Sequence, residues 1–560
     1  MRSLPTALAL FVVVARATPA APAAVPAAER PTERNLVERV TVRLIQLNFV
    51  AVEDDGRPVT DLRAEEVELR IDGVRTPLAF LQGQSPSPVT PEPRPGGLAN
   101  PEATPPLDTR RTPGGVPTDA DRGRWIVFLF DHVQASPRTR VESLLAAESF
   151  LMQRLRPADR VAIAVFDSRL RFVQNFTRDR SSLLATIEGL RAGTPRASAE
   201  RARAIDQLIL ELQNCRDRGA SATEQCANRV VTSYADDRVR ELDAFASALR
   251  WVLYAVAGVP EAKTVVVFSE GVSRDPSRDG TDAAAAVLGI GTSRTGGAAS
   301  RFETEERFDE VAEAASLAKA AVFTINPGGA PRMTSLSAAR PGTEAGAGNA
   351  LQIDPWRSAE RNAQQSLQEI SWRTGGIAAQ GADVLAELER IDAVSAALYT
   401  LGYYASDGEP AERKVKIRVL RKDVKAEFQR DIPPPPPDRA PIAGQFVLES
   451  GACDEAGRRP VTLRLRLDRS SLAFTRLAGK FVANFSMFLR IAPGAGGPPD
   501  FEDFRTLSVS SPVREHESGR PADPTVEQRL TLPCRAYTAI LTVTDAGSGS
   551  RREFVESIAE

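Results

Sequence analysis

Four short apolar runs, Trp125–Phe130, Val161–Phe166, Thr264–Phe268 and Ala321–Ile325, constrain this chain more than anything else in it. Each is a continuous hydrophobic stretch of strand length, and helical patterns separate them. Thr139–Leu155 places Val141, Leu144, Leu145, Leu151 and Leu155 at helical spacing before Pro157, Glu241–Val256 places Phe245, Leu249, Val252 and Leu253 on one face, and Phe308–Lys319 follows. Strands that are apolar on both faces and alternate with amphipathic helices predict a parallel sheet covered on both sides, a doubly wound α/β unit. Helices around Ser366–Trp372 and Val384–Val394 then lead to a last strand of that sheet, Ala397–Tyr404.

The flanks are built differently. Val40 to Leu81 alternates apolar and polar residues around the turn signals Asp54-Asp55-Gly56 and Asp72-Gly73, which predicts a small β unit over 38–81. Gln82–Gly123 holds ten prolines and reads as a linker over 82–123. The α/β unit is expected over 124–405, with insertions at 192–237 and 271–301, and strands at 406–430 are expected to pack with the N-terminal unit. Pro433–Pro437 marks a stiff spacer over 431–440. The remainder, 441–560, alternates through "VTLRLRL" and "FVANFSMFLRI", and predicts a C-terminal β-sandwich of six to eight strands carried on that spacer as a second interaction or spacing module.

At 560 residues the chain is long enough for several packed cores. Its 71 Lys and Arg balance 73 Asp and Glu, so no charge field recruits nucleic acid or an anionic membrane. Met1-Arg2, the apolar stretch Ala7–Ala15 and the small-x-small triplet Ala15-Arg16-Ala17 read as a signal peptide over 1–17, followed by a disordered spacer over 18–37. An uncleaved tether is the alternative, but the apolar run is about half of the roughly 20 residues that span a bilayer. Export to the periplasm, cell surface or medium makes paired cysteines the expectation, with Cys215 bonded to Cys226 and Cys453 to Cys534 so that each bridge stays within one domain. Four free thiols in a reducing compartment is the other reading.

In their order and spacing, "DDGRPVTDLRAEEVELRIDG", "FDSRLRFVQNFTRDRSSLLATIEGL", "VVVFSEGVS", "QEISWRTGGIAA" and "LYTLGYYASDGEPAERKVKIRVLRKDVKAEF" resemble the bacterial exported VWFA-related domain proteins. The resemblance spans about seven-tenths of the chain, Val40–Phe428. It implies a von Willebrand A-like core with an often degenerate metal-ion-dependent adhesion site. The site would lie where the strand order reverses, at the carboxyl ends of the first strand and the strand ending at Phe268. Asp131 and Ser269-Glu270 arrive there, and Thr194 stands where the family's metal-binding threonine would come. In "DHVQAS" Val133 and Ala135 occupy the two positions that a D-x-S-x-S loop fills with hydroxyls, so a magnesium or manganese shell would lack fixed oxygens. The expectation is therefore a degenerate site in which Asp131 caps the following helix and Glu270 sits in a polar loop. Metal-dependent adhesion through Asp131, Thr194 and Glu270 is the alternative.

Nothing points to catalysis. The two histidines, His132 and His516, fall in different units and give neither a zinc pair nor a Ser-His-Asp arrangement, and His132 reads as a solvent-exposed loop residue. "GIGTSRTGG", Gly289–Gly297, follows no strand and opens no helix pattern, so it reads as a flexible surface loop instead of a phosphate cradle. Trp251, Trp356, Trp372, Tyr399, Tyr403 and Tyr404 are expected in cores. The functional expectation is an exported, non-enzymatic protein-binding or adhesion-type protein of the cell envelope. A hydrolase is a remote alternative.

Overall fold

The computed structural model describes residues 42–83, 123–329, 354–428 and 440–559, except 55–56, 168, 194–199, 217–219, 290–296, 382, 407–413, 478, 495–497 and 518–521. The expected signal peptide and its spacer lie outside the described residues, as do nearly all of the 82–123 linker and the 431–440 proline run. Four strands come first: β1 (Val42–Glu53), β2 (Val67–Ile71), β3 (Val74–Thr76) and β4 (Phe80–Gly83). β2 and β3 pair as a hairpin, whereas the other partners of β1, β2 and β4 arrive more than 300 residues later.

The central unit follows in chain order. It comprises β5 (Trp125–Asp131), α1 (Pro137–Gln153), β6 (Arg160–Phe166), β7 (Leu170–Thr177), α2 (Arg180–Ala192), α3 (Glu200–Gln213), α4 (Ala220–Val256) and β8 (Lys263–Phe268). Then come α5 (Pro276–Leu288), α6 (Gly297–Ala318), β9 (Ala320–Ile325), α7 (Pro355–Thr374), β10 (Ala378–Ala379) and α8 (Val384–Ala396). The sheet order is β10-β9-β8-β5-β6-β7, parallel except for the antiparallel edge strand β7. Every residue of β5 is buried, because successive side chains enter opposite cores. Ile126, Phe128 and Phe130 pack with residues of α1, α2 and α8, whereas Trp125, Val127 and Leu129 pack with residues of α4 and α6.

Both insertions are more helical than their polar composition suggests. Ile205, Leu208, Ile209 and Leu212 on α3 pack against Val231 and Tyr234 of α4, Ala283 and Ala284 of α5, and Ala359 of α7. Cys215 and Cys226 are disulfide-bonded across the α3–α4 hairpin, with Cα atoms 5.7 Å apart. The insertion expected at 271–301 contains α5, capped by Asp275 with Pro276 at its first turn and ended by Gly289 in the left-handed conformation (φ 68°). A helix, α6, opens at Gly297, the last glycine of the "GIGTSRTGG" stretch, and what precedes the stretch is a helix, not a strand.

The strand β11 (Leu398–Ser406) does not extend the parallel sheet. It enters an antiparallel sheet of order β13-β1-β11-β4, where β13 is Val424–Phe428. In sequence the strand is visible but its partners are not, since an alternating segment fits either sheet. β12 (Val415–Val419) pairs with β2 in a three-stranded sheet, and Phe49, Leu69, Tyr399, Leu401, Tyr403 and Ile417 form the shared core of these flanking strands. Tyr404 is 63% exposed and Trp372 44% exposed, so neither is a core residue.

The carboxyl-terminal strands are β14 (Gly444–Ser450), β15 (Arg458–Leu467), β16 (Thr475–Leu477), β17 (Lys480–Pro493) and β18 (Phe501–Pro512). They are completed by β19 (Thr525–Pro533), β20 (Tyr537–Asp545) and β21 (Arg551–Ile558). They form antiparallel sheets of three (β14-β15-β19) and five strands around one apolar cluster that includes Leu463, Leu465, Phe485, Met487, Leu541 and Phe554. The Cys453–Cys534 disulfide joins the β14–β15 and β19–β20 connections. This part is not held apart by its spacer. Phe488 of β17 and Phe504 of β18 belong to the apolar cluster of Trp125, with Phe488 edge-on to Trp125 (5.7 Å) and Phe504 edge-on to Phe176 of β7 (5.1 Å). Around them Arg490 pairs with Glu261 (2.6 Å), Arg160 pairs with Glu502, and Thr506 donates to Asn175 (3.2 Å). The described residues between 42 and 559 thus pack as one compact unit.

Candidate functional site

β5 feeds β6 and β7 on one side, and the chain then returns to place β8, β9 and β10 on the other. The strand order therefore reverses between β5 and β8, and the crevice of an open α/β sheet opens at the carboxyl ends of those strands. Trp125, Arg160 and Lys263, which start β5, β6 and β8, lie at the opposite end, and Trp125 and Arg160 meet the carboxyl-terminal sheets there.

Asp131, the last residue of β5, is 1% exposed. Its Oδ1 accepts from the backbone N–H groups of Val133 (3.0 Å) and Gln134 (3.1 Å), and its Oδ2 accepts from the Ser269 hydroxyl (2.6 Å). Asp131 therefore closes the turn after β5 and does not cap α1. That cap is Ser136, whose Oγ accepts from the Thr139 N–H, with Pro137 next to it. Ser269 in turn accepts from Gly271 N (3.0 Å). Gly271 has φ 81° and runs so close to α7 that a Cβ there would stand 2.3 Å from the Ala363 carbonyl oxygen, so only glycine fits.

Glu270 reaches across the crevice. Its Oε1 accepts from Ser136 N (3.0 Å) and from the Thr139 hydroxyl (2.6 Å), which puts a carboxylate at the amino end of α1 where the helix dipole favours negative charge. Beneath the loop lies Arg140, 2% exposed. Its Nε donates to the Ala135 carbonyl (2.9 Å) and its Nη2 to the His132 carbonyl. Val133 packs on the apolar cluster of Trp125, and Ala135 is buried.

His132 is not a solvent-exposed loop residue. It is 7% exposed, its backbone N–H donates to the Phe166 carbonyl (2.7 Å), and its buried Nε2 has no hydrogen-bond partner. Burial first, and the Arg140 charge second, push its pKa down to about 4. His516 is far from it in the fold, stacked on Phe481 at 4.0 Å in the carboxyl-terminal unit. Thr194 lies outside the described residues.

Asp131 and Glu270 are thus brought to one crevice, and Ser136, Thr139, Ser269 and Arg140 complete it. The Ser136-Pro137 pair, a helix-start signature, could have located Ser136 and Thr139 from sequence; no local signal foretells a buried arginine. This donor set does not fit a magnesium or manganese ion. Both Asp131 oxygens and Glu270 Oε1 face N–H and O–H hydrogens, positions 133 and 135 supply no side-chain oxygen, and the carbonyls of 132 and 135 turn toward a guanidinium. Among the described residues no group of three His, Cys, Asp or Glu side chains could hold a metal.

No protein-family model and no curated protein matches the chain. Solved structures similar to it include an aerotolerance-related membrane protein from Bacteroides fragilis with multiple mutations to serines (13% identical, TM-score 0.22) and BatB, a conserved hypothetical protein from Bacteroides thetaiotaomicron (14%, TM-score 0.21). An uncharacterized membrane-spanning protein from Vibrio fischeri is another (15%, TM-score 0.13). Each likeness covers 49% of this chain and 98% of the other. At such TM-scores these likenesses carry no argument about fold or function here.

Proposed function

We propose that this chain is an exported, non-enzymatic protein-binding protein of the cell envelope. Its α/β unit is read as a doubly wound, von Willebrand A-like domain and its carboxyl-terminal sheets as a β-sandwich. The binding face is the rim at the carboxyl ends of the parallel strands, and it works without a metal ion. One observation carries this reading: the crevice carboxylates, Asp131 and Glu270, are committed to internal donors, which leaves the exposed rim at Pro137, Arg138, Arg169 and Gly328 as the part able to meet a partner. Two disulfides support an oxidising compartment, and no helix among the described residues is long and apolar enough to cross a membrane.

The test is site-specific photocrosslinking in producing cells, with the probe at Arg138 or Arg169 and a control probe at exposed Arg529 of the carboxyl-terminal unit. A discrete protein adduct at the rim positions that persists in chelator, absent at Arg529, is expected. Adducts that require magnesium and vanish in Asp131→Ala would transfer the function to the metal-dependent alternative, and no rim-specific adduct would refute the reading. A panel hydrolase activity abolished by Glu270→Gln would overturn its non-enzymatic part.

A further inference from the structure

The crevice holds two acidic side chains that face each other across a strand-order reversal, with no donor set for the divalent ion that such a place suggests. Something else must make the loop keep its shape. We infer that the guanidinium of Arg140 is the resident cation of this crevice and does from inside the loop what a bound divalent ion would do from outside it. The inference rests on the metal-independent reading above.

Geometry carries it. Arg140 sits on the first turn of α1 and points back under the 132–135 loop, where its Nε takes the Ala135 carbonyl at 2.9 Å and its Nη2 the His132 carbonyl. Those two carbonyls flank the stretch whose side chains would have been ligands. With the carbonyls drawn inward, the N–H groups of Val133, Gln134 and Ser136 turn to the carboxylates of Asp131 and Glu270 instead. The inversion holds for two carbonyls and three N–H groups: the oxygens of His132 and Ala135 go to a fixed positive charge, and the hydrogens of Val133, Gln134 and Ser136 go to the negative ones. A planar fork of donors on a buried stem suits the role, since guanidinium stays protonated and satisfies two carbonyls at once. The same buried positive charge disfavours a second cation in the crevice.

Hydroxyls at 133 and 135 alone should therefore fail to create a metal site; the arginine must go too. The experiment compares the oxidised full-length protein with V133S/A135S, V133S/A135S/R140K and V133S/A135S/R140M in manganese titrations followed by electron paramagnetic resonance. No saturable binding is expected for the parent, for the double variant or for the variant with lysine at 140. Binding at least about tenfold tighter is expected once the charge is removed by R140M. Equal manganese affinity with and without the arginine overturns the inference.

A second readout uses R140M and R140K alone. Hydrogen exchange at the Val133 and Gln134 amides should accelerate at least about tenfold in R140M, with partial rescue in R140K, while β6 amides stay protected. Unchanged loop exchange in R140M overturns the inference even if the triple variant does not fold. Saturable manganese uptake by the parent, abolished by D131N, would overturn the metal-independent reading itself, whereas uptake by V133S/A135S with Arg140 in place overturns only the present inference.

Discussion

His132 shows how much one buried side chain can govern. Its imidazole titrates at about 4 in the folded protein against an ordinary 6.5. Between those values the unfolded chain binds more protons than the folded one, so stability is highest above pH 6.5 and declines as pH falls toward 4. A shift of that size corresponds to on the order of 3 kcal/mol. Urea unfolding across pH 4–7 should show this slope, and His132→Gln should flatten it; an unchanged slope would put the acid sensitivity elsewhere. That Asp131 and Glu270 follow apolar runs, and so stand at the carboxyl ends of strands, was legible in sequence, whereas their meeting in one crevice was an expectation from the resemblance. The burial of His132 was not, because it depends on Phe166 of β6 and on Arg140, which local pattern does not bring together.

At the scale of elements, the α3–α4 hairpin is a layer of its own, tied by a short disulfide loop. Cys215 and Cys226 are 11 positions apart in sequence, and the chain-entropy account gives such a loop roughly 3 kcal/mol. Replacing both cysteines by serine should lower the denaturation midpoint by a matching amount and accelerate exchange in α3 and the first turns of α4, with β5 and β8 unaffected. Helices α1 and α8 were visible from periodicity, with Pro157 marking where α1 stops. The hairpin was hidden because its charges and cysteines dilute a spacing that Ile205, Leu208, Ile209 and Leu212 nonetheless keep. β11 was read as a strand of the wrong sheet, since alternation reports which face is buried and not which neighbour supplies the hydrogen bonds.

Across the whole molecule the decisive contact is the seam made by Phe488 and Phe504. β17 is apolar on both faces over part of its length: Phe485, Met487, Leu489 and Ile491 fill its own core, while Phe488 points the other way into the cluster of Trp125. A double-sided strand at the margin of a unit was the available sign that the unit is docked, and the proline run masked it by suggesting a hinge. Phe504→Ala removes a side chain buried among Phe172, Phe176 and Trp125 and should cost about 3–5 kcal/mol. Limited proteolysis should then cut between the α/β unit and the carboxyl-terminal sheets, at sites that stay protected in the parent; cleavage equally slow in both would show that the seam does not depend on this ring.

The sheet of β1 carries a consequence for the order of events during synthesis. Val42 pairs with Ser406, and Phe49 is flanked by Tyr399 on one side and Phe428 on the other. At about 5–20 residues per second, the roughly 350 residues between these partners take on the order of 20–70 seconds to make. For that interval a twelve-residue strand has an apolar face and two edges whose partner strands are not yet made, its local bonds being those of Ala51 and Glu53 to Val59 and Arg57. The first segment of the described fold to emerge is thus among the last to find its place, and the nascent chain's exposure to misassociation is set by its two ends meeting.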